Sequence, residues 1–334
     1  MREARLRGAG QIATVTKSIG TSKDYADPIG WEADLDDTGI YSASDIAVGE
    51  GYNEAFTNIL TWNGGATVGL AEMHLSVASG ERHDGTASTG ANWTGGNTLV
   101  TASNNILKVI EWWIFKDHGG GSGEKFAARL GQNTGGEDII HGCVVDGGTS
   151  PHATASGFID DRPNKNFHNN IILNLTGATG GRGMVNVYAE VDYRHNTVYN
   201  CRIGIQGVDV ATDSLALANL SFDCTTSDFT GTFHADSTDN TSSDLTAPGS
   251  DSVTSATASD YFVSLTSGSE DLKQKAGAPS EDDAADLGTT PTHINDDIIG
   301  RDRDAEGDTW DRGAHELPPA VSLSPQLTLL GVGA

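Results

Sequence analysis

Along the middle of the chain a five-residue pattern recurs: a polar or small residue, three mostly apolar or β-branched residues, then Asn or Asp. Its copies are Gly142-Cys143-Val144-Val145-Asp146, Asn170-Ile171-Ile172-Leu173-Asn174, Asn196-Thr197-Val198-Tyr199-Asn200 and Asn219-Leu220-Ser221-Phe222-Asp223, after a weaker copy at Trp113-Ile114-Phe115-Lys116-Asp117. The closing residues stand at 117, 146, 174, 200 and 223, in steps of 29, 28, 26 and 23 residues. A period of this size, drifting by a few residues, is what a solenoid coil needs when its strands keep their length and its loops vary. Side chains alternate along a strand, which assigns the first and third middle residues, Ile171 with Leu173 and Leu220 with Phe222, to the interior. The closing Asn or Asp falls at a corner, where its side chain bonds nearby backbone, tolerates a left-handed conformation and can bond its copy on the next coil.

Composition agrees. The 42 glycines among 334 residues, with abundant Thr, Ser, Asn and Asp, suit a chain that turns often, and no long apolar helical stripe is present. The fold expected is all-β: a right-handed parallel β-helix with a short N-terminal capping helix and an irregular C-terminal cap. A sandwich of coincidentally similar strands is the alternative. The expected division is 1–50 as N-terminal arm and cap, 51–256 as parallel β-helix, 257–316 as final coils and C-terminal cap, and 317–334 as an apolar assembly tail. Cys143, Cys201 and Cys224 are too few for a disulfide framework. Cys201 and Cys224 each follow a closing residue by one, so they are expected as neighbours on adjacent rungs, close to disulfide range, and stacked as buried thiols.

The ends need caps, because a bare solenoid exposes its last strand edges. Asp27-Pro28-Ile29-Gly30-Trp31-Glu32-Ala33-Asp34-Leu35 reads as a short helix with Asp27 as N-cap, Pro28 at the first position, and Ile29, Trp31 and Leu35 for packing. From Asp223 to Ala256 the chain is rich in Ser, Thr and Asp, which predicts long loops or loosely ordered structure. Met1 to Gln11 carries Arg2, Arg5 and Arg7 without an apolar core, so no secretory signal peptide is expected. No apolar run is long enough to span a bilayer. Ala320 to Ala334 is uncharged, with Val321, Leu323, Leu327 and Leu329 at alternate positions, and reads as a strand that packs on its own solenoid or on a neighbouring subunit.

Between Asp260 and Glu316 stand Tyr261-Phe262-Val263, Asp271-Leu272, Gly277-Ala278-Pro279-Ser280, Asp297-Ile298-Ile299-Gly300-Arg301 and Asp311-Arg312-Gly313-Ala314-His315-Glu316. This succession resembles the C-terminal end of right-handed parallel β-helix proteins of the phage and surface-associated type, within the pectate-lyase-like superfold and with a choice-of-anchor-like ending. There a Phe-Val strand, a Leu-containing strand, a Gly-Ser-Pro-Ala turn, an Asp-Gly-Arg element and an Asp-x-Gly-Ala-x-Glu ending follow one another. Here Ala278 and Ser280 stand exchanged, and Arg312 replaces a commonly apolar residue. Tyr25, Trp31-Glu32 and Gly80-Glu81-Arg82-His83-Asp84-Gly85 likewise resemble β-helical proteins of phages and marine metagenomes. The resemblance implies architecture and carries no catalytic signature.

Polysaccharide lyases and glycoside hydrolases use the same architecture. Galacturonan-type hydrolases carry Asn-Thr-Asp, Asp-Asp, Gly-His-Gly and Arg-Ile-Lys elements, since glycoside cleavage needs paired carboxylates. Only the pair Asp160-Asp161 is found here, and a solvated turn accounts for it. A β-eliminating lyase needs a base and a positive group. Lys165, His168, Arg194 and His195 lie near successive coils and are candidates to share one face, though their spacing matches no lyase motif. Asp302, Asp304, Glu306, Gly307 and Asp308 imitate a calcium loop, but Gly313 stands where an EF-hand from Asp302 requires Glu. A weak surface Ca²⁺ site is the most this run offers. Sequons at Asn92, Asn174, Asn219 and Asn240 are frequent by chance in such a chain. No residue is assigned a catalytic, cofactor-binding or metal-ligating role, and no cofactor is expected.

The formal charge of −26 argues against nucleic acid and anionic membrane surfaces as partners. The expectation is a non-enzymatic structural or adhesive protein, a phage virion surface component such as a capsid decoration, fibre or tailspike-like protein. It would lie on the virion or an extracellular surface and self-associate, with a trimer among its assemblies. Other virion proteins and cell-surface glycans are the further partners considered. The competing expectation is a polysaccharide lyase or glycoside hydrolase of the same fold.

Overall fold

The computed structural model describes residues 12–95, 99–101, 106–116, 125–131, 138–149, 151–161, 165–187, 191–208, 214–287, 294–305 and 309–318. Within them the chain winds as a right-handed parallel β-helix whose turns visit three parallel sheets in order. The first sheet has eight strands, from Thr14–Ile19 to Ser214–Leu217; the second has eight, from Ala55–Phe56 to Thr241–Ser242; the third has seven, from Leu60–Trp62 to Ser227–Thr230.

The register places Ile171 beside Thr197 and Thr197 beside Leu220, as the repeat predicts. The copy at Gly142 is displaced by one residue, because Val144 rather than Cys143 is level with both Ile114 and Ile171, while the Trp113 copy keeps the register of the later ones. Asn170 therefore aligns with Cys143, and Asp146, which mimics a closing corner residue in sequence, ends a strand beside Leu173. The Cys201–Cys224 expectation follows the register: Tyr199 is level with Phe222, and the Thr225 amide bonds the Cys201 carbonyl at 2.9 Å.

Inside and outside of the second sheet are the reverse of the sequence expectation. The interior is filled by the middle residue of each strand, Phe115, Val145, Ile172 and Val198, packed with Ile140 and Phe167 of the first sheet and Phe158 and Met184 of the third. A Cβ on Gly183 of the third sheet would lie 2.9 Å from Val198 Cγ1, so Val198 points across the lumen. Burying one such side chain stabilises the fold by about 1.5–3 kcal/mol. Ile171, Leu173, Leu220 and Phe222 face outward, yet they are buried, because Tyr261, Phe262, Leu272, Ile298 and Ala314 cover them. Phe222 packs against Tyr261 and Phe262 with ring centroids 4.8 and 5.3 Å apart. At these positions both faces of the sheet are buried, the circumstance in which strands are apolar throughout rather than alternating.

Two asparagine ladders hold the corners. Where the first sheet turns into the second, Asn170, Asn196, Asn219 and Asn240 are fully buried, and each Nδ2 donates to the Oδ1 of the next at 3.0 Å. The residue before each is left-handed, Asn169, His195, Ala218 and Asp239, with φ between 51° and 59°. At the far corner Asn174, Asn200 and Asp223 are also left-handed, and Asn200 Nδ2 donates to Asn174 Oδ1 at 2.8 Å.

At the N-terminal end, α1 (Pro28–Ala33) begins with the Asp27 carboxylate accepting from the Ile29 and Gly30 amides. It plugs the lumen with Trp31 and Leu35, both fully buried, the Trp31 ring 5.6 Å from Trp62. Ile29, expected to pack, is instead 41% exposed, because the short helix turns only one side inward. At the other end the Ser/Thr/Asp-rich stretch is not loose. Thr238 bridges Ser250 and Thr241 bridges Val253 in parallel, forming narrow further coils. Polar side chains order them: the buried Asp228 carboxylate accepts from the Cys224, Ser243 and Asp244 amides and from the Ser243 hydroxyl.

The described residues from Ala258 onward run back along the outside of the solenoid as a strap. Arg312 reaches the Asn240 and Asp251 carbonyls, the Ala314 amide bonds Thr197 Oγ1 at 3.0 Å, and Asn169 Nδ2 bonds the Ile294 and Asp296 carbonyls at 2.9 and 2.6 Å. Farther toward the N-terminal end, Ile299 and Lys273 lie over Gly85. Two short antiparallel pairs, Phe262–Ser264 with Asp271–Gln274 and Ala284–Ala285 with Thr309–Trp310, stiffen the strap.

Candidate functional site

The carboxylate pair is split by the alternation of its strand. Asp160 has the parity of Phe158 and is fully buried, whereas Asp161 forms an ion pair with Arg129, whose side chain is 38% exposed. The two carboxylates therefore do not flank a common cleft. Lys165 shares parity with Phe167 and also points inward, where its Nζ lies 3.0 Å from Asp138 Oδ2 with both side chains inaccessible. Lys108 continues this interior column, level with Asp138. Burial pulls the Lys108 ammonium down to about 8, against the attraction of Asp138.

His168 and Arg194 are level with each other in the outward-facing column of the first sheet, and His195 occupies the adjoining left-handed corner. His168 stacks on His141 at 5.2 Å between centroids, and Arg194 pairs with Asp192 at 2.6 Å. His195 Nδ1 meets the Asp311 carbonyl at 3.0 Å, its ring lies against Trp310, and burial, aided by Arg303, holds it well below the usual histidine range. Three of the four lyase candidates thus share a side of the molecule. Lys165 is separated from them by the thickness of the sheet.

The Asp297 and Asp311 motifs build a buried clasp. Arg303, which sequence reasoning missed, is its centre: Nη1 lies 2.5 Å from Glu316 Oε2, and Nη2 donates to the Gly313 carbonyl at 2.8 Å and Asn169 Oδ1 at 3.1 Å. Asp297 accepts from the Ile299, Arg301 and Glu316 amides at 2.9, 2.7 and 3.0 Å. Asp311 accepts from the Asp282 and Leu317 amides at 2.8 and 2.7 Å. Burial pushes Asp311 up to about 6. Arg312, the departure from the resemblance, docks the clasp on the last coils and pairs with Asp283 at 2.9 Å. Gln274 ties in the Ala278–Ser280 turn, accepting from Ser280 Oγ and donating to the Arg312 and His315 carbonyls at 2.7 and 2.8 Å.

A polar crevice opens where the strap crosses the second sheet. One lobe, about 110 Å³, is lined by Thr86, Ser88, Asp146 and Glu270 and by the apolar Val144, Ile171, Leu173 and Leu272; the other, about 160 Å³, by Asp146, Thr149, Asn174, Thr176, Asn200 and Ser267. Asn174 Nδ2 stands between two carboxylates, 3.1 Å from Asp146 Oδ1 and 3.4 Å from Glu270 Oε1. The crevice therefore gathers amides, carboxylates and hydroxyls in one place, with the Asn174 amide donating to both carboxylates. Its residues could be foreseen only as corner residues, since what closes the crevice comes from the strap.

In the acidic run, Asp302 Oδ1 caps the Asp304 amide at 3.0 Å, and Asp304 Oδ2 meets Asn295 Nδ2 at 2.5 Å; Glu306, Gly307 and Asp308 lie outside the described residues. Among the described residues no group of three His, Cys, Asp or Glu is placed to hold a metal ion. Of the sequons, Asn219 and Asn240 are fully buried in the inner ladder and closed to glycosylation in the folded chain. Among the described residues no helix is long and apolar enough to cross a membrane. Leu317 and Pro318 begin the apolar tail, and its remainder, like Met1 to Gln11, lies outside the described residues.

The fold and its strap define a strapped parallel β-solenoid. Compared with protein-family models, curated proteins and solved structures, the chain gives no match in any of the three.

Proposed function

We propose that this chain is a non-enzymatic structural or adhesive solenoid, a component of a virion or extracellular surface, and that it works as a rigid rod without a cofactor. The reading is carried by the dispersal of the groups that cleavage would need: Asp160 and Lys165 in the interior, Asp161 tied to Arg129, and His195 held by the strap. A base and an acid on opposite sides of a sheet cannot act on one glycosidic bond. The amide, hydroxyl and carboxylate lining of the strap crevice suits adhesion to a polyhydroxylated glycan, and self-association, a trimer included, would multiply such contacts.

The test is incubation with a panel of anionic polysaccharides, following unsaturated products and reducing ends, alongside electron microscopy of native particles. The expected result is no product and a regular array on the particle surface. Reproducible turnover would replace this reading with the lyase or hydrolase one.

A further inference from the structure

We propose that Cys201 and Cys224 are a disulfide-forming pair, a covalent staple between two successive coils at the corner of the second and third sheets. Both thiols are free in the structure. Their strands are in register, Tyr199 beside Phe222, and the rungs stay bonded past the cysteines: Thr225 N to Cys201 O at 2.9 Å and Thr226 N to Arg202 O at 2.8 Å. Both side chains join the interior cluster, Cys201 as a buried member and Cys224 packed against it from a partly exposed position. Cβ atoms on rungs about 4.8 Å apart must approach by roughly 1 Å to reach disulfide geometry. The coil carrying Cys224 is near the C-terminal end of the stack, followed only by narrow coils, so it can draw in.

Cys143 cannot substitute. It lies in another column, level with Asn170, fully buried, with its Sγ 3.4 Å from the His141 carbonyl.

Access sets the order of steps. The Cys224 thiolate attacks a low-molecular-weight disulfide, its sulfur bonding to one sulfur of the reagent while the other leaves as a thiolate. Cys201, as thiolate, then attacks Cys224 Sγ and expels the second thiolate. In sum two cysteine thiols and one reagent disulfide become one protein disulfide and two reagent thiols. The hydrogen bond with the Cys201 thiol, then burial, holds Cys224 well above the ordinary thiol range, so the exchange accelerates as pH rises.

The experiment exposes the whole folded chain to oxidised glutathione at neutral and mildly alkaline pH, followed by non-reducing peptide mapping. The expected product is a single intramolecular link between Cys201 and Cys224, formed faster at the higher pH. Cys143 should stay reduced and be alkylated only after unfolding. The linked protein should melt roughly 5 °C higher, as closing a loop of this length predicts. Cys224→Ser should abolish the link and Cys143→Ser leave it intact. A stable glutathione adduct on Cys224 with Cys201 still free, or a link involving Cys143, would overturn the proposal.

Discussion

Replacing Asn196 by alanine removes the middle of the inner ladder. Its Oδ1 accepts from the Asn170 amide and Nδ2 at 3.1 and 3.0 Å, and its Nδ2 donates to Asn219 Oδ1 and the Phe167 carbonyl at 3.0 and 2.8 Å. Two of these partners keep a second bond, Asn170 Nδ2 to Ile140 O and Asn219 Oδ1 from the Asn196 amide. The Asn170 amide and the Phe167 carbonyl lose these bonds where no solvent replaces them. At about 1–3 kcal/mol per orphaned group, with a small cavity term, the loss is about 3–5 kcal/mol. For a chain of this size that is a fall of roughly 4–7 °C in Tm. Urea unfolding should show a lower midpoint at unchanged slope. Asn200→Gly is the control: it keeps the left-handed backbone and removes a half-exposed bond, and should cost only about 1 kcal/mol. Asn196→Asp adds a sign test. A carboxylate cannot donate to Asn219 Oδ1, whereas the protonated acid can, so the folded pKa of the new group is raised and the variant's deficit relative to the wild type should be smallest in acid and grow as pH rises. If Asn196→Ala costs under about 1 kcal/mol, the ladder is not what fixes this corner.

Arg303→Met leaves Glu316 buried without its cation and should cost about 3–5 kcal/mol, seen as release of the strap in limited proteolysis before the solenoid unfolds. Stability should fall as pH drops below about 6.5, since burial lowers His83 to about 4 and His315 to about 3, and unfolded histidines take up protons that the folded ones refuse. His83 shows why: its Nδ1 accepts from the Gly85 amide at 3.2 Å while its Nε2 faces the Gly142 carbonyl at 2.8 Å, an arrangement only the neutral ring makes. Asp311, raised to about 6, and Glu316, raised to about 7, work the other way, their contributions complete below the ordinary carboxylate range and lost as pH rises through those values; against them stand His83, His315 and His195, which burial also holds well below the usual range, and a Tm no lower at pH 4.5 than at pH 7 would refute the balance. Gly51→Ala would set a Cβ 2.3 Å from Trp113 Cη2 and should cost about 1–3 kcal/mol by thermal melting, while Gly80→Ala, with nothing within 4 Å, should change little.

The period, the corner amides and α1 were legible because each is local: Asn at a left-handed corner and Asp-Pro at a helix start announce themselves within a few residues. Sidedness was not. Ile171-Ile172-Leu173 is apolar at every position, and alternation applied to such a run cannot say which parity faces the lumen. The true parity, set by Val198 meeting the third sheet at Gly183, depends on a strap contributed from about a hundred residues later. The one-residue slip of the Gly142 copy is a separate ambiguity, since Asp146 resembles a corner residue but stands on a strand and meets Asn174 through its side chain. Lys108 was a signal left unread: it lies between Leu107 and Val109 with the parity of Ile110, which puts a cation in the lumen and asks for a buried partner. Arg303 and Asn169 are 134 residues apart, beyond any pattern that spacing could expose.

The strap changes what kind of solenoid this is. In a bare stack each coil touches only its neighbours, stability is a sum of nearest-neighbour terms, and the ends unzip first. Here one continuous segment holds the last coils through Arg312 at Asn240 and Asp251, the central ones through Ala314 at Thr197 and Ile294 at Asn169, and an early one through Ile299 over Gly85. Loss of any one coil therefore exposes part of the apolar surface shared by Phe222, Ile171 and Ile114 with the strap, and the cost is borne by coils that are not its neighbours. Contacts of such sequence separation form late and slowly, yet once made they join the coils into one cooperative unit. Cutting the chain between Ala256 and Ala258 should therefore replace a single steep unfolding transition by a broad, stepwise one, with the Cys224 end opening first.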